Sequence, residues 1–243
     1  IMEAKLPARL RRYSADQKNF IGLCVMFLLA GYFTLNYISH TFYSGELLDR
    51  SSPGNWLYWL NAILMGAVVY FNKKIFEWSW SDLGLAKPAN WWQPVLVGLG
   101  CFISILLYSA FIGSWIKETW GQIDISHLYI LKQNLPELIS ALIAVWISAA
   151  FLEELVFRAY FINSLEILFG PGKISVYAAV AISALIFGGI HAYQGISGII
   201  TTTIIGIIFG IAYIVNGHRI WPLILVHGLV DTISLVSIYN MAG

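Results

Sequence analysis

Apolar residues fill seven long stretches of the chain, at 20–39, 55–71, 94–115, 136–169, 174–190, 196–215 and 221–239, separated by short polar or Gly/Pro-containing breaks. A helix that crosses a bilayer needs about 20 mainly apolar residues. The second stretch is short by that measure, and the fourth is too long for one straight crossing. The pattern predicts an all-α, polytopic transmembrane bundle of about seven to eight helices. Within this one integral membrane domain, residues 1–134 read as N-terminal membrane helices plus an interfacial segment, and 135–243 as the core. The interfacial segment is 76–92, where Trp78, Trp80, Trp91 and Trp92 accompany Glu77, Asp82 and Lys87.

Composition removes the soluble alternative. The 243 residues are 58% hydrophobic and 11% charged, against roughly 25% charged in soluble domains. Ten Trp and thirteen Tyr suit two aromatic belts. A net charge of +1 provides no basic face for nucleic acid. Cys24 and Cys101 sit in apolar runs and read as small buried hydrophobes. Charge alternates between breaks: Lys5, Arg9, Arg11, Arg12 and Lys18 precede the first stretch, and Glu46, Asp49 and Arg50 follow it. Lys73, Lys74 and Lys87 follow the second, Lys173 the fourth and Arg219 the sixth. The positive-inside rule then places the N-terminus in the cytoplasm, and seven crossings place the C-terminus outside. The first stretch reads as a retained membrane helix, too long for a signal peptide.

Three patterns interrupt the apolar helices: Glu153-Glu154-x-x-x-Arg158, Phe187-x-x-x-His191 and His227-x-x-x-Asp231. Glu154/Arg158, Phe187/His191 and His227/Asp231 each stand one helical turn apart on one face. Ionisable groups inside membrane helices are costly, so they gather around a buried site. Glu154 is placed to pair with Arg158. Glu153, about 100° round the helix, points elsewhere and is the free carboxylate suited to proton transfer. His227 and Asp231 both need buried partners. Taken singly, the first pattern also reads as a charge cluster at a helix end, and His191 as a satisfied core residue. His40, His127 and His218 read as helix-end or turn residues.

Together the three patterns resemble the CPBP family (CAAX proteases and bacteriocin-processing enzymes, also called Abi), whose members carry Glu-Glu-x-x-x-Arg, Phe-x-x-x-His and His-x-x-x-Asn/Asp in this order. The resemblance covers about residues 135–240, and Asp82-Leu-Gly-Leu is similar to a segment that often precedes the family's core. It implies an intramembrane endopeptidase without a covalent intermediate. Glu153 and His191 would activate a water, and His227, held and charged by Asp231, would stabilise the oxyanion. Glu154, Arg158 and Phe187 would hold and orient these groups. Asp231 departs from the Asn of eukaryotic CAAX proteases, and an ionised Asp cannot donate to an oxyanion. No cofactor is expected on this reading. The alternative is a Zn2+ site of Glu153, His191 and His227 with one open position.

The implied partner is a membrane peptide or a membrane-anchored protein in the bilayer: prenylated CAAX proteins, leader peptides or anchored sorting substrates. The short form favours a bacterial cytoplasmic membrane, and with it peptide maturation or surface-protein processing. A second class, a non-catalytic regulator or immunity protein bound to another membrane protein, uses the same residues without chemistry. A transporter ranks last, because the first half has few intramembrane ionisable groups.

One expectation conflicts with the motifs. If Trp221 begins its helix at the cytoplasmic surface, His227 lies about 9 Å up, while His191 lies about 25 Å from that side. A re-entrant stretch within 155–169, tilted helices or a shifted boundary is needed to bring them together.

Overall fold

The computed structural model describes residues 13–42 and 56–241, with side chains over 13–31 and 62–241. Lys5, Arg9, Arg11 and Arg12 and the loop charges Glu46, Asp49 and Arg50 lie outside the described residues. Seven long helices occupy the seven apolar stretches: α1 (Ala15–Phe42), α2 (Trp56–Ile75), α3 (Trp92–Trp120), α4 (Leu135–Phe169), α5 (Lys173–Gly189), α6 (Gly195–Val215) and α7 (Trp221–Tyr239). The described residues contain no strand. Four helices are long and apolar enough to cross a membrane: α3, α4, the span Ala192–Val215 that contains α6, and α7.

The fourth stretch does not break. Asn134 caps α4 by accepting from the Glu137 N–H, with Pro136 in the first turn, and the helix runs on unbroken to Phe169. The re-entrant stretch expected within 155–169 is therefore absent. The helix absorbs its length in two ways. From Val145 to Ile162 it winds in wide i→i+5 turns, and every residue from 154 to 167 is buried. A helix buried all round is enclosed by its neighbours: α1, α2, α5, α6 and α7 all touch α4. Its C-terminal half is the axis of the bundle.

This arrangement resolves the depth conflict. Measured from the turn at Gly170, Glu154 lies about 22 Å back along α4 and Phe187 about 21 Å along α5, so the two reach one level. The α6–α7 connection is packed on one side against the bundle, although Gly217 is exposed. Asn216 and Ile220 are fully buried and His218 nearly so. His218 Nε2 lies 3.2 Å from Glu166 Oε1 on α4. The helix boundary stays at Trp221, as expected, but the residues just before it pack against α4, and His227 stands at the level of Glu154.

A single wide helical turn, Ser81–Leu85, covers that connection. The Ile220 N–H donates to the Gly84 carbonyl at 3.0 Å, and the Asn163 amide donates to the Asp82 carbonyl at 3.0 Å. Gly84 has φ +76°, and a Cβ there would lie 3.0 Å from the His218 carbonyl, so both conformation and space require glycine. The segment expected at the interface is therefore divided. Leu83 and Trp78 are core, while Trp80, Trp91 and Trp92 are exposed.

Helices α5 and α6 approach through small residues, the usual solution where lipid supplies no hydrophobic drive between helices. A Cβ on Gly188 would overlap the Thr203 side chain and come within 2.8 Å of the Ile199 carbonyl. Gly188→Ala is expected to lower stability by about 1–3 kcal/mol through overpacking, read by thermal unfolding in detergent. It should also reduce activity, because Gly188 adjoins Phe187.

Candidate active site

The wide turns of α4 place Glu153, Glu154 and Arg158 at the centre of the bundle, and α7 sets one imidazole against both carboxylates. His227 Nδ1 lies 2.8 Å from Glu154 Oε1. His227 Nε2 lies 3.4 Å from Asp231 Oδ2 and 4.0 Å from Glu153 Oε2. Turns wider than 3.6 residues bring neighbouring side chains closer in angle than an α-helix does. Glu153 therefore faces the same ring as Glu154, rather than pointing elsewhere.

The two glutamates occupy opposite environments. Glu154 is fully buried, and its Oε1 lies 3.1 Å from Arg158 Nη1. Glu153 and Asp231 keep 22% and 30% side-chain exposure, so both open out of the packed core. The Arg158 guanidinium lies between two aromatic faces, 4.4 Å from the Phe187 centroid and 5.0 Å from that of Phe209. Such stacking holds the cation while its charge stays with Glu154. An ionised carboxylate can only accept, so His227 donates Nδ1–H to Glu154. The contact that orients this ring comes from Glu154, and Asp231 stands at the other nitrogen.

His191 follows the end of α5. Its Nδ1 lies 2.8 Å from the Phe187 carbonyl, which fixes the proton on Nδ1 and leaves Nε2 as the lone-pair nitrogen. The Phe187 ring links the two histidines, with centroids 4.8 Å from His191 and 6.5 Å from His227. The structure thus brings Glu153, Glu154, Arg158, Phe187, His191, His227 and Asp231 into one cluster. Among the described residues, no three His, Cys, Asp or Glu side chains are gathered to hold a metal ion.

Residues match the family model of the Rce1-like type II CAAX prenyl endopeptidases over 135–233, and that span holds all three motifs. No curated protein and no solved structure matches the chain. The match indicates a CAAX-type membrane endopeptidase, and with four helices able to span a bilayer the chain is an integral membrane protein.

The matched core contains residues that the motifs do not announce. Phe209, on α6, completes the Arg158 sandwich and lies 5.5 Å from the His227 ring; its only sequence signal is its place beside Gly210 on a helix that packs closely on α5. Trp146 Nε1–H donates to Thr232 Oγ1 at 3.2 Å, joining α4 to α7 one turn beyond Gly228. His218, read as a turn residue, is a buried partner of Glu166. His127, read as a loop residue, lies with its ring 5.3 Å from that of Tyr193.

Proposed function

We propose that this protein is an intramembrane endopeptidase that hydrolyses a peptide bond in a membrane-associated or lipid-modified substrate, using water activated by Glu153 and His191. One observation carries the reading. A single imidazole lies between a buried, Arg-paired carboxylate and two partly exposed carboxylates.

A water beside Glu153 and His191 Nε2 gives up its proton as its oxygen attacks the scissile carbonyl carbon, a role worth about 10²–10⁴ in rate for a positioned base. The carbonyl oxygen becomes an oxyanion. His227 meets it as an imidazolium, with Nδ1–H held by Glu154 and Nε2–H turned to the oxyanion. One such donor contributes about 3–4 kcal/mol. Asp231 does not itself donate; its carboxylate stands 3.4 Å from Nε2 and favours the charged ring. The proton taken from water passes to the leaving amine as the C–N bond breaks. No acyl-enzyme forms.

We place the N-terminus in the cytoplasm, on the charge pattern of the breaks, and the protein in a bacterial cytoplasmic membrane. Prenylated proteins, leader peptides and anchored surface proteins are the substrate classes to be separated. The test is proteolysis by the purified protein in liposomes, with prenylated and unprenylated membrane peptides, each with and without chelator. Cleavage that survives chelation supports the glutamate mechanism. Cleavage lost on chelation and restored by Zn2+ assigns the chemistry to a metal instead. A folded, monodisperse protein that cleaves none of the three classes argues for the binding role.

A further inference from the structure

The segment between α3 and α4, residues 121–134, is a strap across the end of the bundle where His191 emerges. It is pinned at both ends. The Ser197 hydroxyl donates to the Gly121 carbonyl, and the Asp124 N–H donates to the Gln194 carbonyl at 3.0 Å. At the other end the Gln133 backbone N–H donates to the Tyr239 carbonyl at 3.1 Å, and Leu131 is fully buried against Leu235 and Ile238 of α7. Between these pins the strap presents His127, whose ring meets Tyr193 nearly edge-on, at 5.3 Å and 78°.

Tyr193 in turn lies along His191, with ring centroids 5.9 Å apart and planes 31° apart. Its hydroxyl accepts from Gln194 Nε2 at 3.2 Å. A planar side chain thus stands beside the lone-pair imidazole of the site, with the strap residue His127 against it.

We propose that Tyr193 is a further residue of this site: a substrate-positioning residue that walls the site beside His191, held in place by His127. This rests on the endopeptidase reading, and it also makes a claim about access that needs no catalysis. The strap residue does not touch the reacting atoms. It acts by keeping the Tyr193 ring beside His191, so that a peptide is admitted only in an orientation that passes that ring.

Two measurements separate the proposal from the reading beneath it. In a background with Cys24→Ala and Cys101→Ala, a thiol placed by Glu153→Cys reports access through its rate of labelling by a maleimide. His127→Ala and Tyr193→Ala are each expected to raise that rate roughly five- to tenfold, the shift expected when one aromatic contact is lost. Tyr193→Phe, which keeps the ring, should leave it near the parent value. Equal rates in all four proteins would overturn the proposal whether or not the protein is a protease. His127→Ala carries the test if Tyr193→Ala does not fold.

With Glu153 intact and a cleaved peptide in hand, His127→Ala should raise KM roughly five- to tenfold with kcat little changed. Tyr193→Phe should restore most of what Tyr193→Ala loses. A fall in kcat alone, or no rescue by Phe, would assign these residues a purely structural role. A wild type without cleavage would remove the endopeptidase reading and leave the labelling result standing.

Discussion

Glu153→Gln is expected to leave a folded protein that no longer cleaves, with kcat lower by about 10²–10⁴ and KM close to that of wild type. The change is nearly isosteric, and it falls on a partly exposed carboxylate, outside the buried ion pair. It removes the proton acceptor and little else. His227→Ala should cost about 10²–10³ in kcat through loss of one oxyanion donor. Glu154→Gln provides the contrast, because that carboxylate touches Arg158 and His227 Nδ1 and has no exposure. Its main effect should be on stability and on the orientation of His227. Single-turnover cleavage beside thermal unfolding separates the two glutamates. If Glu154→Gln abolished chemistry in a stable protein while Glu153→Gln still turned over, the assigned roles would be reversed.

Arg158→Met is expected to be the most destabilising single change in the core, at about 3–5 kcal/mol, because it leaves the Glu154 carboxylate buried without its counter-charge. Arg158→Lys should rescue little. The ammonium has neither the plane that stacks between Phe187 and Phe209 nor the fork that meets a carboxylate. In the double variant Glu154→Gln with Arg158→Met both charges are gone, so stability should recover by more than half while activity stays low. Denaturant titration in mixed micelles checks the set. Additive losses in the double variant would show that the pair is not a unit.

The helices and the three motifs were legible in the sequence because both rest on local spacing. Apolar runs of bilayer length give the spans, and i, i+4 pairs give the shared faces. Three other features were not legible, each for a reason that spacing cannot express. The spacing of Glu153 and Glu154 suggests divergence only if the helix is regular, and the wide turns of Val145–Ile162 void that premise. His218 sits in Asn-Gly-His-Arg, which reads as an exposed turn; its burial depends on Glu166 and on cover supplied from residues 81–85. Phe209 and Tyr193 belong to the site only through their neighbours across helix contacts. The re-entrant stretch was inferred from a depth conflict that disappears once the residues before α7 pack against α4.

That packed connection has a consequence for how the chain is assembled. The turn that covers it, Ser81–Leu85, is made before its partners at 216–220, with four long helices between them. Until they arrive, the Gly84 carbonyl lacks its partner, and an unsatisfied backbone group in an apolar setting is costly. Closing so long a loop is entropically slow relative to pairing neighbouring helices. The contact between Gly84 and Ile220 is therefore expected to form late, after neighbouring helices have paired. His227 reaches the level of Glu154 only when that contact is made, so a nascent or misinserted chain carries all three motifs yet holds no assembled site. Activity is in this way reserved for molecules that have completed insertion.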